Sequence, residues 1–425
     1  MMLLAAETNL RRPSLNADAY GRYYTPSQVS QTLIDAITGM RPKLILELGC
    51  GQGALACAAQ GKWARANYIT VDTDLAAMSA LKESATYASH THHIHDALDD
   101  ALADRIGVPL ASVDVGLCNP PYVRPRWRSS FGHILEDAGL SGTLQSVHDA
   151  GADLLFIAQN LRLLKQRGKL GLILPDGLIT GEKYRGVRHA LLREHLVELV
   201  VQLPRRVFKG TEAQTHLLVL SKLSGETQEV ALSQMSDNGE LSATIVVPAD
   251  LAKHRLDYGF HAMGSSTSRP RSKCAHKITI GNVVQELIRG TTSSSQIRSC
   301  PLPVFHLGDF PFPSEFTDGP QVPSKFIQPH SKTTIQQRSY KFARAGDILI
   351  ARIGRNLQHK VCLLPRGVCV ISDCIYAVRA APEYRQILLA YLVSEDGKIA
   401  LEAASHGVGA KYLSRADVLS IVLPD

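Results

Sequence analysis

No apolar run in these 425 residues approaches the ~18–20 needed to cross a bilayer, so no membrane partner is expected. The opening decapeptide MMLLAAETNL lacks both the basic start and the apolar length of a secretory leader. The eight cysteines, at 50, 57, 118, 274, 300, 362, 369 and 374, include no CxxC pair, which removes the usual signature of a structural zinc. A cytoplasmic protein with reduced thiols and no metal is expected. Charge of one sign is also scarce: Lys and Arg number 46 against 39 Asp and Glu, for a net charge of +7. That mild basic excess is compatible with a polyanionic partner without requiring one.

What is present first is alternation. Short apolar runs at 44–48, 68–72, 113–117, 169–175, 196–203 and 216–222 read as strands. Helix-like segments lie between them at 29–37, 74–88 and 153–168, the last with Leu154, Ile157, Leu161 and Leu164 at helical spacing and Gly168 placed to cap it. This order predicts an α/β fold with a mostly parallel sheet covered on both faces. After about residue 223 the character changes. The stretch 262–273 is small, polar and basic, and from 276 the chain is Pro-rich with short strand-like runs and a helix-like segment over 384–404. The expected organisation is an N-terminal extension at 1–19, a catalytic domain at 20–260, a linker at 261–275 and a smaller α+β domain at 276–425.

Glu47-Leu-Gly49-Cys-Gly51-Gln-Gly53 follows the first strand directly, where glycines allow a tight turn and close approach of a ligand. The spacing is not GxGxxG, and no Lys-Ser/Thr follows, which disfavours dinucleotide and P-loop sites. Asp72 ends the next strand, where a carboxylate can accept both hydroxyls of a ribose. Asp96 ends the run HTHHIHD and could accept a hydrogen bond from an adenine amino group. Either acid alone would pass for a strand-end turn residue. Upstream, Tyr24-Thr25-Pro26 precedes a helix starting near Ser27, with Thr25 placed to cap it. The histidines at 90, 92, 93 and 95 alternate at a strand entry, a pattern more in keeping with packing than with metal binding.

The most informative string is Asn119-Pro120-Pro121-Tyr122, directly after the strand at 113–117. An amine conjugated to a ring is a poor nucleophile but carries two N–H donors. The Asn119 side-chain oxygen can accept one and the Pro120 carbonyl the other, holding the nitrogen pyramidal for in-line attack. The prolines stiffen the loop. Tyr122 offers a flat face for stacking, so a face and not a hydroxyl is expected to matter. Enzymes acting on protein glutamine amides or guanine amines in RNA use the same tetrapeptide, so it does not name the substrate alone. Phe208 could close the other side of the pocket, a buried core Phe being the plain alternative. Arg205 and Arg206 beside it would suit a phosphate backbone.

In this order, over residues 20–223, the motifs resemble those of the TaqI-like γ-type N6-adenine DNA methyltransferases. The resemblance implies a class I (Rossmann-like) methyltransferase domain with a seven-stranded sheet. It implies S-adenosyl-L-methionine as cofactor, held by Tyr24, Thr25, Pro26, Glu47, Gly49, Gly51, Asp72, Asp96 and Asn119. Asn119, Pro120, Pro121, Tyr122 and Phe208 would then form the catalytic pocket for an adenine flipped out of double-stranded DNA. The family often carries an aromatic after the third acid, where this chain has Ala97. The strings AGDILI at 345–350, GVCVISDCIYAVR at 367–379 and 391–424 resemble target-recognition domains, including those of type I specificity subunits, with Arg352, Arg355 and Lys411 as candidate contacts. Such an enzyme would act as a monomer in a restriction–modification system whose nuclease is a separate protein. An RNA-base or protein-glutamine enzyme, or a specificity protein with an inactive methyltransferase domain, stands as the alternative.

Overall fold

The computed structural model describes residues 25–83, 90–208, 213–265, 278–311, 319–329, 340–406 and 410–423. The chain divides into two compact units, Met1–Leu256 and Asp257–Asp425.

The first unit is built on one sheet of nine strands: β1 (Leu44–Leu48), β2 (Asn67–Asp72), β3 (His90–Ile94), β4 (Val113–Cys118), β5 (Leu164–Pro175), β6 (Leu196–Gln202), β7 (Thr215–Ser221), β8 (Glu229–Gln234) and β9 (Ile245–Pro248). Their order is β3-β2-β1-β4-β5-β7-β6-β8-β9. Neighbours are parallel except where β7 runs against β5 and β6 and where β9 runs against β8. The order confirms the α/β class and corrects the strand count, because β8 and β9 extend the sheet past residue 223. β4 and β7 are buried along their whole length, as expected for strands covered on both faces.

Helices α1 (Ser27–Ala36), α2 (Ala54–Lys62), α3 (Leu75–Glu83), α4 (Leu102–Ile106), α5 (Ser130–Asp137), α6 (Ala152–Leu163), α7 (Asp176–Thr180), α8 (Arg185–Glu194) and α9 (Ala249–Ala252) connect the strands. Val29, Leu33 and Ile34 give α1 a buried stripe that joins Leu55, Ile173, Leu217 and Val219 in one core cluster. Gly171 makes this contact possible, since a Cβ there would lie 2.9 Å from Ile37 Cδ1.

Helix α6 stops five residues earlier than its periodicity predicts. The N–H groups of Ala111 and Ser112 capture the carbonyls of Arg162 and Leu163, and Leu164 then pairs with Val113. Arg167 takes a left-handed φ of 61° and pairs with Lys222, so Gly168 belongs to a strand irregularity and not to a helix cap.

The second unit begins with helix α10 (Tyr258–Ser265), so the first residues of the expected linker are helical; the rest of that linker, 266–275, lies outside the described residues. After the short α11 (Ile280–Val283) come β10 (Val284–Arg289), β11 (Val304–Phe305), β12 (Phe342–Arg344), β13 (Ile348–Ala351), β14 (Ile353–Gly354), β15 (Val361–Leu363), β16 (Val368–Ile371), β17 (Ile375–Ala380) and β18 (Lys411–Tyr412). They form sheets ordered β10-β17-β13-β15, β11-β16-β12 and β14-β18 around a core that includes Phe305, Phe326, Leu349, Ile371, Leu388 and Leu401. The Ala345-Gly346-Asp347 string has a structural reason. Gly346 turns at φ 88°, and buried Asp347 receives a forked pair of hydrogen bonds from Arg379 at 3.0 and 2.9 Å. The helix-like segment at 384–404 is two helices, α12 (Pro382–Val393) and α13 (Glu395–Ala404), divided at Ser394, whose hydroxyl caps α13 by accepting from the Gly397 N–H. The closing α14 (Arg415–Ser420) has a Ser414–Asp417 capping box. Among the described residues no helix is long and apolar enough to cross a membrane.

Candidate functional site

Strand order reverses direction at β1, whose neighbours are β2 and β4. Chains leaving β1 and β4 there separate to opposite faces, and a crevice opens at the carboxyl ends of the strands. A cavity of about 680 Å³ occupies this place, a size suited to a cofactor-sized ligand. Glu47, Gly49, Gly51, Asp72, Asp96, Asn119, Pro120, Pro121 and Thr25 all line it. Strand ends bring these residues together, save Thr25, which precedes α1; the set spans 96 positions of sequence. Tyr24 lies outside the described residues, and Pro26 begins α1 beside Thr25.

The glycine turn has Gly49, Gly51 and Gly53 at φ 69°, 50° and 74°, a conformation that residues with a Cβ rarely adopt. Its N–H groups turn inward. Those of Gly49 and Cys50 donate to the Val71 carbonyl at 2.8 and 3.2 Å, and that of Gly51 donates to Asp72 Oδ2 at 2.7 Å. The turn is therefore not a phosphate cradle, which would aim these donors at the ligand. It offers carboxylates instead. Asp72 also accepts from the Asp74 N–H at 2.9 Å, and Glu47 Oε2 accepts from Ala56 at the start of α2 at 2.9 Å. Burial pushes the Glu47 carboxyl up to about 8, with the nearby Asp72 charge adding to it and the Ala56 hydrogen bond opposing. A site with acceptors on its walls, in which the N–H groups of Gly49, Cys50 and Gly51 are already engaged, fits a ligand rich in donors or carrying positive charge. Ribose hydroxyls, an ammonium and a sulfonium meet that description.

Asp96 stands two residues past β3. One oxygen accepts from the Leu98 N–H at 2.9 Å and the other pairs with Arg128 at 2.8 Å. Arg128 comes from the basic stretch after the tetrapeptide and lies over the Phe131 ring, 4.5 Å from its centroid. On the same stretch Arg124 pairs with Asp149 at 2.7 Å, while Arg126 is exposed. Sequence reasoning missed that Arg128 walls the cavity. It also missed Phe156, which lies beneath the turn, 3.2 Å from where a Gly49 Cβ would be.

Asn119 sits just past the end of β4. Its Nδ2 donates to Thr25 Oγ1 at 3.0 Å, and its Oδ1 accepts from the Tyr122 hydroxyl at 3.1 Å. The same hydroxyl lies 3.3 Å from the Ile173 carbonyl on β5. Two expectations change here. Thr25 does not cap α1, because Pro26 holds the cap position and the Thr25 hydroxyl is engaged with Asn119. The Tyr122 hydroxyl is structural, so the ring face is not its sole contribution. Phe208 is 2% exposed, belongs to the core cluster with Leu203 and Met235, and does not line the cavity. Arg205 and Arg206 next to it are exposed.

Two histidines of the run have packing partners. His90 stacks on Tyr68 at 4.4 Å, and His92 Nδ1 shares a 2.6 Å hydrogen bond with Thr70. Burial pulls His90 down to about 4, with His92 adding to the effect. In the second unit, Arg352 gives its Nε–H to the Asp373 carbonyl at 2.8 Å and Lys411 pairs with Glu402, whereas Arg355 is exposed.

Comparison with known proteins bears on this site. Among curated relatives, the methylase subunit of the type I restriction enzyme MpnII from Mycoplasma pneumoniae is 23% identical over 218 residues, which is 48% of this chain and 40% of that protein. The methylase subunit of the type I enzyme EcoEI from Escherichia coli is 26% identical over 222 residues, covering 48% of this chain and 42% of its own. The chain thus spans about two fifths of the length of these relatives. Among solved structures, the type IIG restriction endonuclease BpuSI superimposes with a TM-score of 0.51 at 13% identity, covering 95% of this chain and 59% of that one. That likeness is one of fold and takes in both units. The profile of the N-6 DNA Methylase family matches residues 10–261, more than half of the chain and the whole of the cavity lining. On that match, the chain belongs to the N-6 DNA Methylase family.

Proposed function

We propose that the chain is a site-specific DNA adenine-N6 methyltransferase, the modification enzyme of a restriction–modification system. The observation that carries the reading is the position of Asn119-Pro120-Pro121 on the wall of the same crevice as the glycine turn and Asp72. S-Adenosyl-L-methionine, when bound there, supplies the methyl group. Asp72 then accepts the ribose hydroxyls, Glu47 and the turn backbone bound the remainder of the cofactor, and Asp96 stands where it can accept from an adenine amino group. Asn119 Oδ1 and the Pro120 carbonyl accept the two N–H donors of the target amine, drawing its nitrogen out of conjugation and fixing it for in-line attack. The partner is double-stranded DNA, from which the target adenine is flipped at a cost of a few kcal/mol. The second unit reads the sequence, the protein works as a monomer, and the nuclease is a separate protein.

The test is long-read sequencing of DNA from a methylation-free host expressing the chain. N6-methyladenine confined to one short motif is the expected result and gives the target site. Unmodified DNA, with soluble and cofactor-binding protein, would overturn the reading in favour of an RNA or protein amide substrate, or of an enzyme that needs a partner subunit.

A further inference from the structure

The two hydroxyls that meet at Asn119 have no part in the reaction as described so far. An asparagine amide has two ends of nearly the same shape and opposite hydrogen-bonding character. Only with Oδ1 toward the target can it accept from an amine; rotated by half a turn, it would set N–H against N–H. Rotation about the last side-chain bond of Asn is soft, so stereochemistry alone does not choose the orientation. Threonine and tyrosine hydroxyls can each donate or accept, so what such neighbours fix is where the amide sits.

We propose that Thr25 and Tyr122 are positioning residues that clamp the Asn119 amide in place beside the target amine. This rests on the methyltransferase reading above. Thr25 Oγ1 takes the Nδ2 end at 3.0 Å and the Tyr122 hydroxyl takes the Oδ1 end at 3.1 Å, so the amide is held from both sides. The two holds come from different parts of the fold. Thr25 precedes α1, 94 positions upstream of Asn119, and the Tyr122 hydroxyl lies 3.3 Å from the Ile173 carbonyl of β5, a second acceptor for its single proton. An amide oxygen can accept two hydrogen bonds, so Tyr122 and a target amine can share it. Because Thr25 also lines the cavity, the clamp sits between the cofactor end of the crevice and the tetrapeptide.

The clamp acts on the transfer step and not on assembly of the complex. Thr25→Val keeps the shape and removes the hydroxyl, Thr25→Ser keeps the hydroxyl, and Tyr122→Phe keeps the ring. The experiment measures single-turnover methyl transfer at saturating cofactor and DNA. It is paired with calorimetric titration of S-adenosyl-L-methionine and with the fluorescence of 2-aminopurine placed at the target position. Thr25→Val and Tyr122→Phe should each slow transfer about tenfold, the scale of one hydrogen bond. Cofactor affinity and 2-aminopurine brightening should stay within about threefold, and Thr25→Ser should restore most of the rate. Full-rate transfer in both hydroxyl-free variants would overturn the clamp. So would a loss confined to cofactor affinity or to base flipping. Wild-type protein that transfers nothing to adenine would instead sink the functional reading, so the two failures are distinguishable.

Discussion

Asn119 and Glu47 show how differently two residues of one cavity can be tested. Asn119→Ala removes the acceptor for the target amine while leaving the glycine turn, Glu47 and Asp72 in place. Methyl transfer should fall below detection, with cofactor affinity by calorimetry within a few-fold of wild type; an Asn119→Ala protein that methylates at full rate would sink the mechanism. Glu47 carries a different signature. Its carboxyl is raised from the usual 4.5 to about 8 by burial, so the folded protein holds a proton that the unfolded chain releases. Its contribution to stability is therefore complete below about pH 4.5 and is lost as pH rises through about 8. Glu47→Gln mimics the protonated form and should flatten the fall in melting temperature between pH 5 and 8, measured without cofactor. An unchanged slope would mean that the carboxyl is ionised in the folded state.

At the level of elements, what could be read in advance was what local pattern encodes. The run LILEL became β1 residue for residue, and the tetrapeptide fell at the end of β4, a strand buried along its whole length. The errors arose where distant chain decides. Helix α6 ends at Leu163 because residues 111–112 capture its last carbonyls, a pairing that no periodicity carries. Strands β8 and β9 were missed because exposed positions interrupt their apolar pattern at the sheet edge. Phe208 could not be assigned to pocket or core from its neighbours, and the hydroxyl contacts of Asn119 join Thr25, Asn119 and Tyr122 across 97 positions. Element packing has its own test in Gly171, where α1 lies against β5. Gly171→Ala would drive a methyl to 2.9 Å from Ile37 Cδ1 and 3.3 Å from Leu33 Cδ1. Overpacking of this kind costs about 1–3 kcal/mol, so the melting temperature of the variant should drop by several degrees. Unchanged melting would show that α1 yields freely, contrary to its buried stripe.

On the scale of the whole molecule, the division into two units suggests a division of labour. In the first unit Arg126, on the loop after the tetrapeptide, and Arg205 and Arg206, just past the carboxyl end of β6, are exposed, positions suited to phosphate. In the second unit Lys411 is paired with Glu402 and Arg352 gives its Nε–H to the Asp373 carbonyl, and Arg355 is the exposed one of the three. Phosphate contacts carry affinity and salt dependence, whereas base contacts carry sequence. Changing Arg126 and Arg205 together to Gln should therefore weaken DNA binding and lower the slope of log affinity against log salt by about 0.9 for each phosphate no longer neutralised. The methylated motif should remain the same. Arg355→Gln should relax the motif at one position, by about 1–3 kcal/mol of discrimination if it contacts a base edge. Long-read sequencing of host DNA and salt-dependent binding curves on the same variants read both effects. A changed motif in the Arg126/Arg205 variant would place sequence reading in the first unit and overturn the division.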